Sequence, residues 1–195
     1  TQSPSVQFIN QHSSDPALQF SDHSIDVDDQ RLHYVSAGSG KLILFYHGFP
    51  SYWYMWKNQL LDLASDYRVV AVDGLGANLS AKPNELAPYH VSALSRQLKA
   101  LVEALVGDEG FVLVGHDWGA IVAWQTVLLN PTRFTALINM SVPYRGRPAQ
   151  SPMERMRQSA GDNFHYIVYH NEPGGVAEAE YDANPRGLIS HVYLG

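Results

Sequence analysis

The chain has 195 residues, of which 45% are hydrophobic and 16% charged, and its net charge is −6. This balance describes a globular rather than a disordered chain, long enough for one domain or one domain with an insertion, and it argues against nucleic acid or an anionic membrane surface as partner. There is no cysteine, which excludes disulfides, thiolate catalysis and cysteine-ligated metals, and no apolar run approaches the length of a membrane span.

The first twenty residues, "TQSPSVQFINQHSSDPALQF", are polar, contain Pro4 and Pro16, and lack the charged-then-apolar pattern of a signal peptide. They read as a surface arm. The chain is expected to be soluble, with the cytoplasm preferred over the periplasm or export. "SDHSIDVDDQRLHYVSAG" reads as two strands joined by a turn at Asp28–Asp29. "KLILFYHG" (41–48) and "YRVVAVDG" (67–74) are short apolar runs that predict buried strands. Between them Trp53, Trp56, Leu60 and Leu63 recur at helical spacing. Val91, Leu94, Leu98, Leu101 and Leu105 form one apolar stripe of a further helix. "FVLVGHD" (111–117) predicts another strand and "WGAIVAWQTVLLN" a helix stopped by Asn130–Pro131, before a strand in "FTALINMSV" (134–142).

Apolar strands alternating with amphipathic helices predict an α/β fold, a mostly parallel sheet flanked by helices. After Pro143 the alternation stops. "YRGRPAQSPMERMRQ" and "HNEPGGVAEAEYDANPRG" read as the start of a separate, mostly helical segment. The expected organisation is an arm over 1–20, an α/β core over 21–143 and a helical segment over 144–195.

The stretch "LVGHDWGAIVAW" (113–124) carries the chemistry. A sharp strand-to-helix turn that displays a nucleophile needs small neighbours, and Gly115 and Gly119 stand two residues before and after Asp117. The N-terminus of the following helix favours negative charge there. The plainer alternative is an aspartate that caps the helix. A second segment, "FYHGFP" (45–50), ends an earlier strand. In folds with such a turn, the loop after that strand and the residue after the nucleophile supply two oxyanion donors, here the backbone N–H groups of Phe49 and Trp118. A carboxylate suits displacement at a saturated carbon with a ready leaving group. The resulting ester must then be hydrolysed by water, so the substrate is expected to be an alkylating agent such as an epoxide or an alkyl halide.

"HGFP", "DGLGANLSAKP" and "VGHDWG", followed by a Pro-rich segment, resemble the α/β-hydrolase fold, and more narrowly its epoxide hydrolases and the related haloalkane dehalogenases. Asn78 stands where the family loop usually has its second glycine; asparagine tolerates positive φ, so the turn can persist. The resemblance implies a helical cap beginning after the sixth strand, with a cap tyrosine as proton donor. "YIVYHNEPGGVAEAE" places Tyr166 in that role, with Tyr169 beside it; the alternative is that both are ordinary packing aromatics. His47, Pro50 and Tyr169 are expected to line the substrate pocket. The dehalogenase reading is weakened because Phe49 replaces the Asn or Glu usual after His-Gly. Trp118 likewise replaces the arginine of fluoroacetate dehalogenases, although its indole could cradle a halide.

The expected function is therefore conversion of a small apolar epoxide and water to a diol through an Asp117 ester, without cofactor or metal. A haloalkane dehalogenase and a non-catalytic ligand-binding protein of the same fold are the alternatives, and a homodimer is the candidate assembly. The resemblance also calls for a histidine base and its acid. Ser141 occupies one family location of the acid, and none of the nine histidines (His12, His23, His33, His47, His90, His116, His165, His170 and His191) fits the base. Both are expected beyond Gly195, which makes the chain part of a longer polypeptide.

Overall fold

In a computed structural model the protein is described over residues 2–15, 18–146 and 149–194, so Pro16 lies outside the described residues. The chain divides into two compact units, residues 1–143 and 144–195.

The first unit is built on one six-stranded sheet, in the order β1-β2-β4-β3-β5-β6. Its strands are β1 (Ser21–Val27), β2 (Gln30–Ala37), β3 (Leu42–Tyr46), β4 (Arg68–Val72), β5 (Phe111–His116) and β6 (Phe134–Met140). The first two form an antiparallel hairpin, closed by Asp28 and Asp29 at φ 50° and 59°. Two consecutive positive φ values match the strand twist, and Asp is among the residues that tolerate them. Strand β2 pairs antiparallel with β4, and β4, β3, β5 and β6 run parallel.

All five residues of β3 are buried because both faces of the sheet are covered. Its side chains alternate between two cores. Leu44 and Tyr46 join Leu98, Leu101, Leu113 and Val122 on the side of α3 (Val91–Val106) and α4 (Trp118–Leu129). Ile43 and Phe45 join Trp53, Trp56 and Leu60 on the other side, from a 3₁₀ turn (Trp53–Trp56) and α2 (Lys57–Leu63). Alternation hidden inside a uniformly apolar run is what a doubly covered strand requires. Each large side chain so buried contributes about 1.5–3 kcal/mol.

The N-terminal segment departs from the surface arm read from the sequence. Residues Pro4–His12 form α1, with Pro4 in the first turn and the Ser3 hydroxyl accepting from the Val6 N–H. Val6 and Ile9, three residues apart on one face, are 0% and 2% exposed. Two apolar residues suffice because this helix buries only one narrow stripe, which its polar composition conceals.

Strand β6 lies at the sheet edge and is the least covered; Ile138 and Met140 are exposed. The second unit holds α5 (Pro152–Ala160), α6 (Tyr166–His170), α7 (Val176–Ala183) and α8 (Pro185–Leu194). Prolines open α5 and α8, where the missing N–H is not needed. No helix among the described residues is long and apolar enough to cross a membrane.

Candidate active site

The candidate site lies at the carboxyl ends of the parallel strands, where open α/β sheets bind their ligands. Strand β5 ends at His116, α4 begins at Trp118, and Asp117 forms the turn between them at φ 54° and ψ −119°. That is a strained conformation for a residue with a side chain, and it persists only where the surroundings impose it. Here they do. A Cβ on Gly119 would run into the Tyr46 carbonyl oxygen and lie 2.6 Å from that of His47, and one on Gly48 would strike Asp117 itself. The crossing of β3 and α4 leaves no room for side chains at these two positions.

The Asp117 side chain does not cap its own helix. Its Oδ1 instead accepts a hydrogen bond from the Phe49 N–H at 2.9 Å. The Trp118 N–H, first of the α4 donors, is left over by the helix's own ladder and has no partner among the described residues. Of the two expected oxyanion donors, one thus already faces the carboxylate and the other remains unengaged.

His47 sets the direction of the Phe49 donor. Its Nε2 accepts from the Gly74 N–H at 2.9 Å, so the ring proton sits on Nδ1, which donates to the Gly48 carbonyl at 2.9 Å. Burial lowers the His47 pKa and keeps the ring neutral, as this arrangement needs. The Gly48 carbonyl and the Phe49 N–H belong to one rigid peptide and point opposite ways. Holding the carbonyl on His47 and the Ser51 N–H therefore aims the amide at Asp117. The peptide that follows, Phe49–Pro50, is cis.

Behind this loop lies a polar network that ties the "DGLGANLS" segment to residues distant in the sequence. The fully buried Asp73 accepts from the Trp53 N–H at 2.9 Å, Asn78 Nδ2 at 2.7 Å and His33 Nδ1 at 2.7 Å. The other ring nitrogen of His33 donates to Asp22, 2.9 Å away, and Asp22 in turn accepts from the N–H and hydroxyl of Ser3. Burial alone would lower the His33 pKa, but the two carboxylates outweigh it and raise the pKa. Asn78 adopts φ 41°, the left-handed turn expected where the family loop has glycine.

A cavity of about 590 Å³ opens beside these elements. His47, Phe49, Pro50 and Trp118 line it, together with Tyr46, Leu75, Tyr89, Leu94 and Val122, none of which the sequence placed at the site. Among the described residues no group of three His, Asp or Glu side chains gathers as for a metal ion. Ser141, at the end of β6, has φ 71°.

Tyr166 and Tyr169 belong to the second unit. Tyr166 opens α6, is half exposed, and stacks near His165. The Tyr169 hydroxyl donates to the Glu180 carboxylate, which raises its pKa. That donor is already engaged.

The family model for the alpha/beta hydrolase fold matches residues 41–167. Epoxide hydrolase A of Mycobacterium tuberculosis is 37% identical over 88% of this chain and 53% of its own length. Epoxide hydrolase 1 of Siraitia grosvenorii is 42% identical over 89% of this chain and 55% of its own. The crystal structure of an epoxide hydrolase from Vigna radiata superposes with a TM-score of 0.82 at 36% identity, covering 89% of this chain and 57% of that one. The chain thus spans about half the length of the curated relatives it matches.

Proposed function

The chain belongs to the α/β-hydrolase family, and from that premise we propose that the protein containing it is an epoxide hydrolase. The relatives bearing that name support this reading. The observation that carries it is the hydrogen bond from the Phe49 N–H to Asp117 Oδ1, which orients a carboxylate that caps nothing.

With Oδ1 held, Oδ2 is the attacking atom. It forms a bond to one epoxide carbon as the ring C–O bond breaks, and the departing oxygen takes a proton from Tyr166. The product is an ester on Asp117. Water then adds to the Asp117 carbonyl carbon, and the negative charge develops on Oδ1, where the Phe49 and Trp118 N–H groups receive it. Collapse releases the diol and restores the carboxylate, one of water's two protons ending on the departing diol oxygen and the other returning to the Tyr166 phenolate. One such donor is worth about 2.7–4 kcal/mol in the transition state. His33 and His47 are both held in the scaffold and are not assigned as the base for the water.

The substrate is a small, largely apolar epoxide, in keeping with the cavity walls. Intact mass after brief mixing with styrene oxide and an acid quench tests the first step, which needs no base. A gain equal to the epoxide's mass, absent in Asp117→Asn, is expected. Neither adduct nor diol in the wild type would overturn the reading. Halide release from a bromoalkane without epoxide opening would replace it with dehalogenation.

A further inference from the structure

Strand β3 ends on a tyrosine whose hydroxyl the chemistry above does not use. Tyr46 is 6% exposed and its ring packs in the core on the α3 side, yet it lines the cavity. Its hydroxyl has no hydrogen-bond partner among the described residues. Gly74 makes its position possible, since a Cβ there would meet Tyr46 Oη at 2.9 Å. Leu75, Leu94 and Val122 share both its core cluster and the cavity lining.

We propose that the Tyr46 hydroxyl is a specificity-determining donor that selects epoxides carrying a hydrogen-bond acceptor, such as a carbonyl or ether oxygen, on the arm that enters this bay. The proposal deepens the epoxide hydrolase reading and rests on it for the identity of the substrate.

The selection acts mainly against hydrocarbons. Before a ligand arrives, water can satisfy the hydroxyl from the cavity. A ligand oxygen replaces that water with little net change, whereas a hydrocarbon arm covers the donor and leaves it unpaired. Burial pushes the Tyr46 pKa well up, so the phenol stays protonated and remains a donor at any working pH. The donor is also rigidly placed, with its ring fixed by core packing and little side-chain freedom left to lose on binding.

The test reads binding rather than turnover. Acetophenone and α-methylstyrene have nearly the same shape and differ by C=O against C=CH₂. Their dissociation constants are measured by ligand-observed NMR titration on the full 195-residue chain, in the wild type and in Tyr46→Phe. The Kd ratio should shift about ten-fold toward α-methylstyrene in the variant, and comparing ratios cancels the ligands' different hydration. Gly74→Ala, which crowds the hydroxyl while keeping it, should shift the ratio in the same direction. It also carries the test should Tyr46→Phe fail to fold by thermal melt. An unchanged ratio in the folded variants, or no binding of either probe by the wild type, overturns the proposal. Absence of an Asp117 adduct would sink the epoxide hydrolase reading while leaving these binding ratios as they are.

Discussion

The two units of the chain hold their functional candidates by different means. In the first, Asp117, Gly119, His47 and Phe49 sit where a doubly covered sheet, a crossing helix and a hydrogen-bonded loop converge, and each constrains the next. In the second, Tyr166 and Tyr169 sit on a five-residue helix, and Ala177 is the one buried residue among those described. Long-range strand pairing over-determines the backbone at Asp117, whereas short helices of this kind are marginal in water without packing. The difference can be broken or sharpened by experiment.

The largest effect is expected in amide hydrogen exchange. Amides of β3, β4 and β5 lie in the middle of the sheet and should exchange only through global unfolding, whereas those of α6 and α7 should open locally, several orders of magnitude faster. Equal protection in the two units would break the comparison.

A matched pair of glycine substitutions comes next. Gly119→Ala drives a Cβ into the β3 backbone and should cost about 3 kcal/mol. Gly161, just after α5, has positive φ (55°), unlike the helical Gly119, and a Cβ there meets nothing within 4 Å. Its substitution by Ala carries only the backbone strain of a positive φ, about 1–2 kcal/mol. Denaturant unfolding of each variant checks the pair, and a larger loss at Gly161 would reverse the contrast.

The same contrast explains what could be read from the sequence. The strands were legible because each is an uninterrupted apolar run, and the hairpin because Asp28–Asp29 permits its turn. The turn at Asp117 was legible because Gly115 and Gly119 flank a polar residue between a strand and a helix. Helix α1 was hidden because Val6 and Ile9 alone carry its buried face. The Asp22–His33–Asp73 chain was hidden because its members lie 11 and 40 residues apart, and only strand pairing unites them. Tyr46 was hidden because a uniformly apolar run does not reveal which side chains face which core. The two candidate cap tyrosines raise a different problem. Their motif marks them, but Tyr169 binding Glu180 depends on the packing of α6 against α7, which no local pattern encodes.

The smallest effect is a pH dependence whose two limbs both arise in the first unit. His33 has a raised pKa in the folded state, so between about 6.5 and that value the native protein binds more protons than the unfolded chain. Its stabilisation is complete below about 6.5 and fades as pH rises through the folded value. His47 and His23 are shifted down, mainly by burial, so the unfolded chain binds more protons just below 6.5 and stability falls as pH drops. In the second unit the shifted groups are Tyr169 and Tyr181, both raised, and they act only above about pH 10. Urea midpoints between pH 5 and 9 should therefore peak near 6.5. His33→Gln should flatten the alkaline limb. His47→Gln should shallow the acid limb without abolishing it, because His23 remains. An alkaline limb that survives in His33→Gln would mean that the buried Asp–His–Asp chain does not set the pH response.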